Sequence, residues 1–139
     1  MNREISKVVL DTNILISGYL FGGIPRKIIE LGRKGEIEIL TSDDSEKELI
    51  RVLGYEKFGL ESDEILLIIQ DFKSFAVEVD IFQKIDVIEK DETDNIFLEL
   101  AVCGDAEYIV SGDKHLLRLG QYSTIEIIPA RRYLELYEV

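Results

Sequence analysis

Short apolar runs alternate with segments of helical periodicity along the chain, and this alternation restricts the fold more than any other feature. The strand-like runs cover residues 7–10, 36–40, 75–80, 107–110 and 124–128. Between them, apolar residues recur with the i, i+3, i+4 spacing of a helix face that packs on a core. Strands that alternate with helices in this way predict a mostly parallel sheet covered by helices on both faces. We therefore predict an α/β fold with five strands.

The chain has 139 residues without a repeat, a low-complexity tract or a linker-like stretch, so we expect a single domain over residues 1–139. No apolar run approaches the roughly 18 residues of a membrane span. The N-terminal segment MNREISK leaves no room for the apolar stretch of a signal peptide. The only cysteine, Cys103, lies among apolar residues and is expected in the core. These features predict a soluble cytoplasmic protein.

The net charge of −12 opposes non-specific binding to nucleic acid, because such binding depends largely on basic side chains. Two interpretations of the acidity are open. It serves solubility, or it reflects carboxylates gathered at one place to bind cations. Composition alone does not separate the two; the positions of the acidic residues are more informative.

Two of the predicted strands end in an aspartate. Asp11 follows the first strand, and Ser111-Gly112-Asp113 ends the fourth. In open α/β sheets, ligands bind outside the carboxyl ends of the strands, where the strand order reverses. If these two strands are neighbours, both carboxylates lie on the same edge. Aspartate is also a favoured helix N-cap, and helical residues follow both positions, so a capping role is equally open for each.

Two further acids lie within predicted helices. Ser45-x-x-Glu48 matches a capping box, but residues 41–43 are equally good caps. If the helix begins at these earlier residues, Glu48 reaches over the sheet edge, and we favour this interpretation. Asp94, in EKDETDNIFLELA, either caps the following helix or faces inward with Asp91 as the cap.

Convergence of these acids would require a cation. Two like charges about 4 Å apart repel by about 4 kcal/mol at an effective dielectric constant near 20, so several carboxylates do not stay ionised together unaided. Oxygen ligands without histidine or thiol suit Mg²⁺ or Mn²⁺ rather than zinc. Such ions bind phosphates and activate water for in-line attack. The residue types alone thus suggest metal-dependent phosphoryl chemistry as a hypothesis.

The segments VVLDTNILISG, SEKELIRVL, DETDNIFLELA, AEYIVSGDKHLL and IEIIPARRYLEL occur in this order. Together they resemble the PIN-domain family, and specifically its small prokaryotic branch described as toxins of toxin–antitoxin pairs. The resemblance spans essentially the whole chain. It implies a three-layer α/β/α fold with strand order 3-2-1-4-5 and a Mg²⁺- or Mn²⁺-dependent ribonuclease. It also implies an RNA substrate, a small antitoxin partner and a homodimer.

Residue by residue, the resemblance assigns the catalytic acidic positions to Asp11, Glu48, Asp94 and Asp113. It implies that Asp11, Asp94 and Asp113 hold the metal, and that Glu48 is a ligand or orients the attacking water. Asn13, Ser111 and Asp91 are the supporting candidates, the last because many relatives carry a proline and a further aspartate in this motif. The basic candidates for RNA contacts are Arg26, Lys27, Lys47, Arg51 and Lys114, although for each one taken alone plain surface solvation is the favoured interpretation. His115 is expected on a helix surface.

Two alternatives of other classes stay open at this point. A receiver-like phosphotransfer domain also uses aspartates and Mg²⁺ at strand ends, and it would need a phosphate-accepting aspartate after the third strand. Asp80 holds that place, but the apolar pair Ile81-Phe82 follows it. A non-catalytic binding module would retain the PIN fold without needing several acids at strand ends. RNA cleavage and phosphorylation of Asp80 would discriminate among the three.

Overall fold

A six-stranded sheet forms the middle of the molecule in the computed structural model, which describes residues 5–88 and 92–138. Its strands are β1 (Ser6–Leu10), β2 (Ile37–Thr41), β3 (Val77–Glu78), β4 (Tyr108–Val110), β5 (Gln121–Tyr122) and β6 (Ile125–Ile128). The helices are α1 (Thr12–Ile16), α2 (Gly23–Arg33), α3 (Asp43–Leu53), α4 (Ser62–Phe75), α5 (Glu92–Cys103), α6 (Lys114–Leu119) and α7 (Ala130–Glu138). A π-helical turn (Ser17–Phe21) continues α1, and a 3₁₀ turn (Glu56–Phe58) follows α3.

The strand order is β3-β2-β1-β4-β6-β5, and every neighbouring pair is parallel except β5 and β6. This confirms the predicted α/β class and the predicted order, with β6 as the expected fifth strand. The prediction of five strands was wrong by one. The additional strand β5 pairs with β6 through a tight turn at residues 123–124, in which Ser123 has a φ of 56°. A hairpin this short leaves little periodic signal in the sequence.

The third strand is much shorter than the predicted segment 75–80, because α4 extends through Phe75. Ile69 and Phe72 on this helix are buried. Phe75 continues their stripe, and its ring packs edge-to-face on Phe72 with centroids 5.7 Å apart. Phe75, which the sequence pattern assigned to the third strand, therefore belongs to α4, where its ring packs on Phe72.

Two apolar cores cover the two faces of the sheet, which gives the three layers that the family resemblance implied. Val8 points into one core and Val9 into the other, as the alternation of side chains along a strand requires. The first core takes side chains from α1, α2, α3, α4 and α7, and the second takes them from α5 and α6. Over the residues that the structure describes, no helix is long and apolar enough to cross a membrane.

A residue in the left-handed conformation follows each of two helices. Gly35 follows α2 with a φ of 77°, a left-handed conformation that glycine adopts without steric cost. After α5, which ends at the partly buried Cys103, the left-handed residue is Asp105, with a φ of 55°. Gly104 has a different role, because a Cβ there would lie 2.5 Å from Leu40 Cδ1. Glycine at this position allows the end of α5 to pack closely on β2.

The strand order reverses between β1 and β4, which are parallel neighbours at the centre of the sheet. The chain passes from β1 outward to β2 and β3, then crosses back to β4 and continues outward to β6. Directly beyond the paired strands, the backbone N–H of Asp11 donates to the carbonyl oxygen of Val110 at 3.1 Å. The switch point of the sheet therefore lies where the sequence places its two strand-end aspartates.

Candidate functional site

One cleft of about 240 Å³ at this edge of the sheet is lined by all four predicted carboxylates. Asp11 comes from the end of β1, Glu48 from α3, Asp94 from α5 and Asp113 from the start of α6. The cleft is lined in full by Asp11, Thr12, Asn13, Glu48, Arg51, Val52, Tyr55, Asp94, Phe97 and Asp113. Acids that are far apart in the sequence are thus brought to a single concave surface.

Asp11 is both a helix cap and a wall of the cleft. Its Oδ1 accepts a hydrogen bond of 2.9 Å from the backbone N–H of Ile14, and its Oδ2 accepts one from Ser111 Oγ. Burial raises the pKa of the Asp11 carboxyl above its ordinary value. The hydrogen bonds from Ser111 and Ile14 lower the pKa in part, while the nearby charge of Asp113 raises it. Asp11 therefore caps α1 and lines the cleft at the same time.

Ser111 connects the ends of the two central strands. It is fully buried, and its hydroxyl donates to Asp11 Oδ2 while accepting the backbone N–H of Asp113 at 2.9 Å. A small hydroxyl side chain fits here because it must donate in one direction and accept in the other. Ser111 thus holds the carboxylate of Asp11 and the backbone of Asp113 in a fixed relation.

Asp113 caps α6 with one carboxylate oxygen. Its Oδ2 accepts the backbone N–H groups of His115 at 2.9 Å and Leu116 at 3.1 Å. Burial alone would raise the pKa of Asp113, but these donors and the side chain of Asp94 hold it below its usual value. Asp113 is therefore ionised at neutral pH. Its pKa and that of Asp11 move in opposite directions, because burial dominates for Asp11 and hydrogen-bond donors dominate for Asp113.

Glu48 lies in the second turn of α3, as we predicted from the earlier caps. The helix begins at Asp43 with Ser42 as its N-cap, and Ser42 and Ser45 exchange hydrogen bonds of 3.2 and 2.9 Å. Ser45 thus fills the capping box in place of Glu48. The Glu48 carboxylate instead receives two hydrogen bonds from Arg51, Nη2 to Oε1 at 2.6 Å and Nε to Oε2 at 3.1 Å.

Arg51 also binds Tyr55, which the sequence analysis did not single out. Arg51 Nη1 donates to Tyr55 Oη at 2.7 Å, and the guanidinium carbon lies 5.5 Å from the centre of the ring. The hydrogen bonds to Glu48 and then to Tyr55 raise the pKa of Arg51 above its ordinary value. The i, i+3 spacing of Glu48 and Arg51, followed by the i, i+4 spacing to Tyr55, is the sequence signal for this arrangement.

Of the five basic side chains predicted to contact RNA, only Arg51 lines the cleft. Arg26 donates to the backbone carbonyls of Gly18 at 2.8 Å and Tyr19 at 3.1 Å, so it binds carbonyls within the π-helical turn. Lys27 lies on another groove, between α2 and α7. The remaining two candidates, Lys47 and Lys114, are exposed outside the cleft lining.

Asp94 and Asn95 are neighbours on α5 with different roles. Asp94 is buried, and it lines the cleft. Its neighbour Asn95 is also buried and binds the backbone of residues 87–88. Its Oδ1 accepts the N–H groups of Val87 at 3.1 Å and Ile88 at 2.9 Å, and its Nδ2 donates to the Ile88 carbonyl at 2.8 Å. Asp91, a supporting candidate, lies outside the described residues. Sequence reasoning missed Asn95, although a buried polar residue beside a predicted site residue is a usable signal.

Asn13 and Thr12, which directly follow Asp11, both line the cleft. Asn13 is exposed on the cleft, and among the described residues it makes no hydrogen bond with Asp11. Thr12 Oγ1 is buried and has no hydrogen-bond partner within residues 5–88 and 92–138. An orphaned hydroxyl oxygen in the lining adds an oxygen donor to the carboxylates there.

A second acidic cluster includes two residues of α3, the helix that contributes Glu48 to the cleft. Over the described part of the chain, Asp43, Glu46 and Glu78 are the one carboxylate group whose oxygen atoms all lie within 4.8 Å of one another. Glu46 accepts a hydrogen bond of 3.0 Å from Thr41 Oγ1 and lies 3.4 Å from Lys73 Nζ. The hydrogen bond with Glu46, followed by burial, raises the pKa of Glu78 to about 7. The negative charge of this cluster is thus partly offset by a shared proton and by Lys73.

The donor set of the cleft suits a hard divalent cation. It offers carboxylate and hydroxyl oxygens without histidine or thiol. Over the described residues, its carboxylates do not form a group as tight as the second acidic cluster. Mg²⁺ or Mn²⁺ fits these residues.

The fold and the cleft define a doubly wound α/β protein with an acidic site at its topological switch point. A family model described as PIN domain matches residues 7–115, more than half of the chain and a range that contains all four cleft acids; the chain belongs to the PIN-domain family. PIN domains are generally nucleases, and these nucleases typically use divalent metals. Comparison with curated proteins gives no match.

Proposed function

We propose that the protein is a Mg²⁺- or Mn²⁺-dependent endoribonuclease that hydrolyses RNA phosphodiester bonds in the acidic cleft. The observation that carries the proposal is the presence of four carboxylates, from four separate segments of a PIN-family chain, around one cleft at the switch point. A scaffold without chemistry has no need to gather like charges in this way, since their mutual repulsion costs free energy.

Asp11, Asp94 and Asp113 are the residues that would hold the cation. When bound, the cation supplies charge stabilisation for the phosphoryl oxygens and lowers the pKa of water. The chain contributes orientation. Asp11 is fixed by Ile14 and Ser111, and Asp113 is fixed by the first turn of α6.

Glu48 acts as the proton acceptor in this proposal. Arg51 binds both of its oxygens, which restricts the rotation of the carboxylate. Water adds to phosphorus and gives its proton to Glu48, while the bond from phosphorus to the leaving sugar oxygen breaks and that oxygen takes a proton from solvent. Removal of a general base of this kind lowers kcat by about 10²–10⁴-fold.

A cleavage assay with matched variants tests the proposal. Single-stranded and structured RNA are incubated with Mn²⁺, with EDTA, and with the Asp11→Asn protein. We expect EDTA to abolish cleavage and Asp11→Asn to lower kcat by about 10²-fold or more. Asp43→Asn, which removes an exposed acid of the second acidic cluster, is the control and should retain activity.

Three results would contradict the proposal. Cleavage that survives both EDTA and Asp11→Asn excludes a metal nuclease in this cleft. Loss of activity in Asp43→Asn with full activity in Asp11→Asn moves the chemistry to the second acidic cluster. RNA binding without cleavage under any metal condition favours the non-catalytic PIN-fold binding module.

We also propose the role of a toxin with a small antitoxin partner, and a homodimeric state. The support for these finer points is the sequence resemblance to the small prokaryotic PIN branch. Induced expression in bacteria should arrest growth, and Asp11→Asn should relieve the arrest. Sedimentation of the purified protein measures the oligomeric state, and a monomer at all concentrations argues against the dimer.

The receiver-like alternative is disfavoured by the position of the third strand. β3 is an edge strand, and β2 separates it from β1. Asp80, which follows β3, is therefore not beside Asp11, and the paired acids that such a domain needs are not assembled there. Membership of the PIN-domain family agrees with this argument.

A further inference from the structure

We propose that Tyr55 is a stacking platform for an unpaired base of the substrate next to the scissile phosphate. In this arrangement Arg51 is a positioning residue that holds the Tyr55 ring and the Glu48 carboxylate together. The inference rests on the proposed ribonuclease function and adds the part of the substrate that the cleft recognises.

The cleft that holds the carboxylates also has an apolar part. Tyr55 lines it with a side chain that is 40% exposed. Val52 and Phe97, both buried, add apolar surface to the same lining. A nucleotide whose phosphate lies at the carboxylates therefore has an aromatic surface available to its base within the same cleft.

Tyr55 is held in place before any ligand arrives. Its backbone N–H donates to the Val52 carbonyl at 3.0 Å, and its own carbonyl accepts the N–H of Phe58 at 3.0 Å. Its hydroxyl accepts a hydrogen bond of 2.7 Å from Arg51. A ring that is already fixed at both ends loses little conformational entropy when a base stacks on it.

Charge makes stacking the more effective source of affinity here. The protein has a net charge of −12, and among the described residues Arg51 is the one basic side chain in the lining of this cleft. Few phosphates are neutralised in such a cleft, whereas stacking on an aromatic ring needs no charge and tolerates every base. Bases inside a duplex are already stacked and do not offer a free face. The substrate is therefore RNA with an unpaired nucleotide at the cleavage point and little sequence preference there.

Steady-state kinetics on a short single-stranded oligoribonucleotide with one mapped cut test the platform. Tyr55→Leu should raise KM by about tenfold and change kcat less, because the stacking surface is lost. Tyr55→Phe retains the ring and should keep KM within about threefold of the wild-type value. Phe21→Leu removes an aromatic ring that is 74% exposed outside the cleft lining and should leave KM unchanged.

An abasic nucleotide beside the cut separates stacking from a general loss of structure. It should raise KM for the wild-type protein by about tenfold and have no further effect on Tyr55→Leu, since both changes remove the same interaction. Equal abasic penalties in the two proteins, or a Tyr55→Leu enzyme with wild-type KM, would overturn the proposal. Circular dichroism of each variant confirms that it is folded.

A binding experiment keeps this inference distinct from the proposed function. Asp11→Asn protein is titrated with a single-stranded oligonucleotide that carries the fluorescent base 2-aminopurine, and stacking on Tyr55 should quench the fluorescence. Adding Tyr55→Leu should remove the quenching, and unchanged quenching contradicts the platform. If the wild-type protein cleaves no RNA while quenching depends on Tyr55, the ribonuclease proposal fails and the platform stands.

Discussion

Ser111 Oγ donates a hydrogen bond to Asp11 Oδ2, and this bond joins two buried residues that lie 100 positions apart in the sequence. The same hydroxyl accepts the backbone N–H of Asp113. One serine therefore fixes the ends of β1 and β4 relative to each other, at the point where the proposed chemistry takes place. Its removal should affect both stability and activity.

Ser111→Ala is expected to lower the free energy of unfolding by about 1–3 kcal/mol, because it leaves the Asp11 carboxylate and the Asp113 N–H with unmet hydrogen bonds. Activity should fall by about 10–100-fold, the usual effect of removing a residue that orients a metal ligand. Urea unfolding and RNA cleavage measure the two effects. Ser74→Ala removes an exposed hydroxyl bound to the Asp71 carbonyl and should change neither; equal effects of the two variants would contradict the role of Ser111.

Arg51→Lys keeps the positive charge but cannot form the two parallel bonds to Glu48. We expect kcat to fall by about tenfold, since Glu48 becomes mobile, with a small change in KM. Lys47→Gln removes a neighbouring exposed cation outside the cleft and is the matched control. Single-turnover cleavage at saturating RNA isolates the chemical step. An unchanged kcat in Arg51→Lys would show that Glu48 does not depend on Arg51.

Asn95→Asp should destabilise the protein by about 1–3 kcal/mol, because the carbonyl of Ile88 loses its donor and faces a carboxyl oxygen in a buried position. The segment before α5 then loosens, and activity should fall because Asp94 lies next to this residue. Gln70→Glu, the same chemical change at an exposed position of α4, should be nearly neutral. Equal midpoints in urea for Asn95→Asp and wild type would refute the expectation.

The pKa of Glu78 is raised to about 7 by its hydrogen bond to Glu46, then by burial, with Asp43 adding repulsion and Lys73 opposing it. The folded state therefore binds a proton more tightly than the unfolded state, where the glutamate titrates near 4.5. The associated stability is fully present below about pH 4.5 and is lost as the pH rises to about 7.

Glu78→Gln should consequently raise the unfolding free energy at pH 8 and have little effect at pH 4. Since the side chain is exposed, solvent screening limits the gain to about 1 kcal/mol or less. Thermal unfolding across this range is the measurement, with Glu135→Gln on α7 as the exposed control. A gain that is the same at both pH values would disprove the linkage.

Salt dependence tests how much of the RNA affinity is electrostatic. With Arg51 as the single basic residue that the described part of the chain places in the cleft lining, about one phosphate is neutralised by the chain itself. The slope of log(kcat/KM) against log[KCl] should then be about −0.7 for single-stranded RNA at constant Mn²⁺. A slope several times steeper would mean that basic side chains outside the cleft make the contacts.

Much of the fold was predictable because its signals are local. The apolar runs of β1, β2 and β4 are buried strands, so each one is visible without knowledge of its neighbours. The order of the sheet followed from the resemblance. The hairpin strand β5 and the shortened β3 were not predictable, because a turn of two residues and the packing of Phe75 on Phe72 depend on local geometry and on contacts between elements.

The sequence by itself determined that acids stand at the ends of β1 and β4 and in α3 and α5, since residue types and spacing are local facts. Only the tertiary structure decided which polar groups contact these acids. Ser111 reaches Asp11 because β1 and β4 are neighbours, and Arg51 alone among the basic candidates enters the cleft lining because the turn of α3 directs it there. Folding then shifts the two pKa values apart, since desolvation raises the pKa of Asp11 while backbone donors hold that of Asp113 down, and neither environment exists before the chain folds.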